Sequence, residues 1–205
     1  MKKLFTTLSN IWKIEDLRAR ILFTLLCLLV YRIGSFIIIP GVDSASLDNS
    51  QTNEGLIGLL NMFAGGSFSR ASIFALGVMP YISASIVVQL LGIAVPYFQK
   101  LQKEGESGRK KINQVTRYLT ILITALQAIG YVKSQIAPDA RLISEPLFTL
   151  SSMFVLTAST MFIVWLGEKI TDKGIGNGVS LIIMVGIIAQ LPFGLLSEFN
   201  SRMGA

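Results

Sequence analysis

The chain has 205 residues, 52% of them hydrophobic and only 15% charged, with a mean hydropathy of +0.62. Soluble domains carry about 25% charged residues, so the composition excludes an ordinary water-soluble globule and predicts an all-α polytopic membrane protein. Histidine is absent and Cys27 is the single cysteine. Histidine acid–base chemistry and an intrachain disulfide are thereby excluded, few ligands remain for a transition metal, and no cofactor is expected.

Five runs approach the roughly 20 residues needed to cross a hydrocarbon core. The first, Ile21–Pro40, has no small-residue cleavage site after it and reads as a retained span; Cys27 lies inside it as a packing residue. Gly55–Ala64 is apolar but too short to cross, which predicts a re-entrant or cavity-lining piece. The second span, Ala71–Tyr97, contains Pro80, expected to kink it, with Ser83 and Ser85 placed to satisfy the freed carbonyls. A basic stretch, Gln99–Gln114, precedes the third span, Val115–Val132. The fourth, Pro146–Leu166, is followed by the glycine-containing loop Gly167–Asn177. The fifth, Val179–Pro192, needs flanking residues, to about Leu196, to reach across. The odd span number and the ending "SRMGA" predict part of a larger bundle.

Orientation follows from lysine and arginine. Thirteen of them fall on the side that holds the N-terminal residues 1–20, residues 99–114 and residues 167–177. Four (Arg70, Lys133, Arg141 and Arg202) fall on the other, and Arg32 lies within the first span. The N-terminus is therefore expected in the cytoplasm, and the net charge of +6 is mainly a topology signal. All twelve carboxylates lie outside the spans. That counts against an ion-coupled transporter, whose coupling groups sit at membrane depth.

Individual motifs leave alternatives open. The glycines at 174, 176 and 178 lack the preceding strand of a dinucleotide fingerprint and suit a tight turn that starts span five close to span four. "KEGESGRKK" lacks the P-loop pattern; it is either a solvated basic loop or a docking site for a cytoplasmic partner. Arg32 either snorkels to the surface or faces the bundle and pairs with polar groups or carbonyls. Val78 and Ile82, and likewise Val179 and Ile183, are four apart and share a helical face. Their stiff β-branched side chains either pack against lipid and helices or form an inward collar.

The wording of four stretches narrows these choices. "YRIGSFIIIPGVD" (31–43), "NMFAGGSFSRASIFALGVMPYISASIVVQLL" (61–91), "KEGESGRKKINQVTRY" (103–118) and "MFIVWLGEKITDKGIGNGVSLII" (161–183) resemble bacterial SecY, the channel subunit of the protein-secretion translocon. The resemblance runs from Leu17 to Pro192, in order. It departs from the family in ending after the fifth of ten helices, and in having Val78 and Val179 where isoleucine is common.

The resemblance implies a SecY-type half bundle of five transmembrane helices with a re-entrant plug. Residues 55–70 would be the plug, with Leu56, Ile57, Leu59, Leu60, Asn61, Met62 and Phe63 forming its helix and Gly65 and Gly66 its hinge. Val78, Ile82, Val179 and Ile183 would belong to the apolar pore ring, and Pro80, Ser83, Val87 and Gln127 to the lateral-gate wall. Lys103, Arg109, Lys110 and Lys111 would help dock cytoplasmic partners. The implied partners are the subunits SecE and SecG, the motor ATPase SecA, the ribosome (with RNA contact only there), signal peptides, unfolded polypeptides and membrane lipids. The implied place is the bacterial cytoplasmic membrane, and the function is passage of unfolded chain without covalent chemistry. A secondary transporter with broken helices is the alternative, because a glycine-interrupted short helix is also its signature; the polar midplane ligands it needs are missing from these spans apart from serines, threonines and Gln127. A membrane-embedded enzyme ranks last, for want of a carboxylate pair, a histidine or an activated nucleophile in a span.

Overall fold

The computed structural model describes residues 14–43 and 56–203. The N-terminal segment through Lys13 and Gly55 at the start of the expected plug lie outside the described residues, as do the side chains of Leu56, Ile57 and Leu59. The described regular elements are helices: α1 (Glu15–Gly34), α2 (Leu56–Phe63), α3 (Met79–Ala94), α4 (Pro96–Lys103), α5 (Glu106–Gln135), a 3-10 turn (Pro138–Ala140), α6 (Glu145–Lys173) and α7 (Gly178–Met203). α5 packs against α3 and α6; α6 also packs against α1 and α7; the short α2 rests on α7.

The long helices meet through small residues. α5 buries Thr116, Thr120, Thr124 and Ala128 at four-residue spacing, with Gly108 two such steps earlier. Each of these threonine hydroxyls donates back to the carbonyl four residues earlier, Thr116 to Ile112, Thr120 to Thr116 and Thr124 to Thr120, at 2.6–2.9 Å. The threonine hydroxyls of the stripe are thus satisfied within α5, and α6, which packs on α5, buries Ser152, Leu156 and Thr160. In a bilayer, where lipid is as apolar as leucine, such close approach is what holds helices together. Two apolar clusters result. One gathers Ile39, Ala75, Leu76, Tyr131, Val132, Ile136, Phe148 and Leu156. The other gathers Cys27, Tyr31, Phe74, Val78, Ile163, Leu166, Ile170 and Ile182, and gives Cys27 its packing role.

Several helix limits differ from those expected. α1 stops at Gly34, six residues before Pro40. Ser35 Oγ donates to the Arg32 carbonyl at 2.7 Å and the Phe36 and Ile37 amides close tight turns, while Gly34 lies flush against the Phe74 ring. The following residues 37–39 are extended: Ile39 N donates to Ala71 O and Ile73 N to Ile37 O, at 2.9 and 2.8 Å. An apolar run does not distinguish strand from helix, and the proline ahead disfavours the α conformation.

The second span is also shorter than expected. Residues 64–78 form successive turns, and the helix begins only at Met79. Pro80 thus sits in the first turn, where its missing N–H costs nothing. It starts the helix and does not kink it, so Ser83 and Ser85 have no freed carbonyls to satisfy; Ser85 Oγ instead accepts from Gln89. At its other end α3 gives way at Val95, which is extended, to α4 at an angle of 99°.

The basic stretch 99–114 is helical and not a flexible loop: α4 and the start of α5 form a hairpin closed at Gly105 (φ 68°). α6 likewise runs on to Lys173, leaving a link of only four residues before α7, which continues to Met203. By length and composition α5 and α6 are apolar enough to cross a membrane, and α3 with α4 makes a third if the bent pair is one span. α1 carries Arg18, Arg20 and Arg32, and the apolar part of α7, Gly178–Pro192, is roughly 22 Å long at 1.5 Å per residue. Those two expected spans are helices that this criterion does not reach.

Candidate functional site

Val78 is the N-cap of α3, and its carbonyl accepts the first helical bond from Ile82 N at 3.1 Å. The cap and the first turn therefore carry both side chains on one face. Val179 and Ile183 occupy the first turns of α7, which is capped by Asn177 Oδ1 accepting from Ser180 N. The turn before it is pinned by Gly178 N donating to Thr171 Oγ1 and Ile175 N donating to Thr24 Oγ1. Gly167 of α6 leaves Val179 Cγ2 only 3.1 Å from where a β-carbon would stand, so two glycine-bearing backbones cross closely. The outcome is that Val78, Ile82, Val179 and Ile183 all belong to the second apolar cluster, Val78 buried and the other three half-buried.

Beside this cluster sits α2. After Phe63 the chain reverses at Gly65 (φ 64°) and Gly66 (φ 81°), a left-handed pair that side chains rarely adopt. Asn61 ties the turn together: its carbonyl accepts from Gly66 N and its Oδ1 from Ser69 N. The hinge lies against α7, where a β-carbon on Gly186 would stand 2.9 Å from Phe63 O. Leu60 and Asn61 are half-buried, while Met62 and Phe63 are exposed.

Two guanidinium groups meet at the hinge. Arg32 Nη1 donates to Gly65 O at 3.2 Å from α1, and Arg70 Nη2 donates to the same oxygen at 3.1 Å. Both rest on the Phe36 ring, at 5.0 and 4.5 Å from its centroid. Of the two roles open to Arg32, it takes the inward one. Burial lowers the proton affinity of Arg70, and the Arg32 charge acts in the same direction; a guanidinium still stays ionised. Arg70 Nε is buried with no hydrogen-bond partner. Neither Arg70 nor Gly186 was singled out as a contact residue from the sequence, since the partner of each is main chain. A lone glycine inside an apolar helix is the only signal that could have pointed to Gly186.

Of the expected gate residues, the structure brings Ser83 and Gln127 together. Both line a cavity of about 380 Å³ with Leu60, Phe68, Met79 and Tyr131. Pro80 is buried and Val87 is exposed away from that cavity. Tyr131 closes one wall: its hydroxyl donates to Phe68 O at 2.7 Å and its ring meets the edge of Phe68 at 4.9 Å.

At the opposite end, Lys103, Arg109, Lys110 and Lys111 are exposed on the α4–α5 hairpin. Leu101 is buried under it, and Gly108 lets α5 lie against the Leu101 carbonyl. Lys111 pairs with Glu104 at 3.7 Å. Below the hairpin, Arg117 grips Glu168 with two nitrogens, joining α5 to α6.

Comparison with protein-family models matches residues 72–203 to SecY. The chain belongs to the SecY family. It is 46% identical to the protein translocase subunit SecY of Rickettsia typhi over 199 residues, covering 93% of this chain and 46% of that protein. Against SecY of Vibrio cholerae it is 48% identical over 183 residues, with coverages of 87% and 41%. SecY of Buchnera aphidicola from Schizaphis graminum matches all of this chain and 48% of its own length, at 46% identity. The chain thus spans about half the length of the relatives it matches. Among solved structures it is similar to Sec61 in the canine ribosome–channel complex from the endoplasmic reticulum. The TM-score is 0.65 at 20% identity, over 92% of this chain and 42% of the other. A structure described as that of a protein conducting channel gives the same values. At that identity the likeness speaks for the fold: this chain is an all-helical SecY-type bundle half. The transporter alternative finds no support.

Proposed function

We propose that the chain forms one half of a polypeptide-conducting channel that passes unfolded protein across a bacterial cytoplasmic membrane and releases apolar segments sideways into lipid. The observation that carries the reading is the convergence of Val78, Ile82, Val179 and Ile183, from two helices, in one cluster beside a short docked helix. An apolar collar has no fixed ligand to hold a passing side chain, and when empty it excludes ions by dewetting. α2 and its hinge are the plug, a second barrier. The cavity bounded by Ser83 and Gln127 belongs to the lateral-gate wall. The N-terminus and the α4–α5 hairpin face the cytoplasm, where Lys103, Arg109, Lys110 and Lys111 meet SecA or the ribosome; SecE and SecG complete the assembly.

A photo-crosslinker at Ile82 or Ile183 of the complete protein is expected to capture a stalled secretory polypeptide. One at Leu122, exposed on α5, is expected to capture none. Equal capture at all three positions would refute the collar. Cysteine at Ser107, exposed at the hairpin, should resist impermeant reagents in intact cells, and ready labelling there would reverse the orientation.

A further inference from the structure

We propose that Arg32 is the latch that keeps α2 docked. This rests on the plug reading above but concerns docking alone. Arg70 is five residues from the carbonyl it holds and travels with the hinge. Arg32 is 33 residues away, on α1, so its bond to Gly65 O is the polar tie between the short helix and a separate helix. The geometry favours a releasable tie over a permanent one. The acceptor is a neutral carbonyl shared by two cations, and both lean on the face of Phe36, which is itself exposed. Cation–π contact with that ring holds the pair in place. The close backbone approach of the hinge lies elsewhere, at Gly186 of α7. Docking therefore combines a fitted surface on α7 with a long-range bond from α1, and breaking the bond shifts the equilibrium without destroying the surface.

The test uses the complete protein with Cys27→Ser, spin-labelled at Met62→Cys on α2 and Ile188→Cys on α7, both exposed positions. The docked fraction is read from the label–label distance distribution, and a second label pair across α5 and α6 serves as a fold control. A hydrogen bond from a charged donor contributes about 1.5–3 kcal/mol, so Arg32→Gln should shift the docked-to-undocked ratio at least about tenfold towards undocked. Arg32→Lys keeps a cation and a donor and should fall between Gln and the parent; a role for the stem alone would make Lys and Gln alike. An Arg32→Gln distribution matching the parent, or Lys and Gln variants that coincide, would overturn the latch. Should Gln broaden the control distance, Arg32→Lys decides: loss of docked fraction with the control distance intact supports the latch, and no loss overturns it. Because the readout is a distance, it stands whether or not the channel reading does.

Discussion

Gly186→Ala sets two magnitudes against each other. The added β-carbon would stand 2.9 Å from Phe63 O, 3.5 Å from Gly65 N and 3.7 Å from Gly65 Cα. The nearest of these neighbours is backbone and cannot swing aside, so the docked state should lose about 1–3 kcal/mol, as overpacked sites do. Alanine also relieves roughly 1 kcal/mol of the glycine penalty in a helix interior. That relief applies to α7 whether or not α2 is docked, so it cancels from the docking equilibrium but not from global stability. The docked-to-undocked ratio should therefore fall about 5- to 150-fold, while the partial offset leaves the thermal midpoint level or modestly lower. Label distances between α2 and α7, recorded beside a melting curve, check both halves at once. Unchanged docking, or a midpoint that rises, would refute the reasoning.

Ile82→Gly with Ile183→Gly in the complete protein removes two branched side chains from the proposed collar. Resting ion conductance in planar bilayers should rise while secretion largely persists. Tyr131→Phe leaves Phe68 O with only the long 3.4 Å bond from Ala71 N; the loss of about 1 kcal/mol should lower the thermal midpoint by roughly 2–4 °C. Reversing Arg109, Lys110 and Lys111 to Glu should weaken SecA or ribosome binding, most at low salt, because these charges are exposed and screened; pulldown across a salt series measures it.

What the sequence made legible follows from how local each cause is. α5 and α6 were readable because long apolar runs bounded by charge leave few other options in a membrane. Residues 37–39 were not, because their extended form depends on main-chain pairing with residues 71–73, more than thirty residues on. Pro80 carried the right signal for a helix start, but the length of the surrounding apolar run pointed to a continuous span. The i,i+4 pairs gave a face on each of two helices, while their meeting depends on the close crossing at Gly167 and Gly178. The family resemblance supplied that meeting as an expectation, and side-chain period alone could not. Arg32 was recognised as anomalous, yet its partner is a carbonyl placed by two glycines with positive φ, and a main-chain acceptor has no residue type to search for.

The 99° elbow at Val95 and the reversal at Gly105 make the basic hairpin a crank shared by two membrane helices. α4 meets α3 at a single extended residue, whereas α5 is unbroken from Glu106 to Gln135. A torque applied at Arg109–Lys111 is therefore delivered stiffly along α5, over roughly 25–30 Å to Gln127 at 1.5 Å per residue, and only through a swivel to α3. A load on the hairpin moves one wall of the Ser83–Gln127 cavity more than the other, so pressing on the hairpin end shears the cavity and does not translate it.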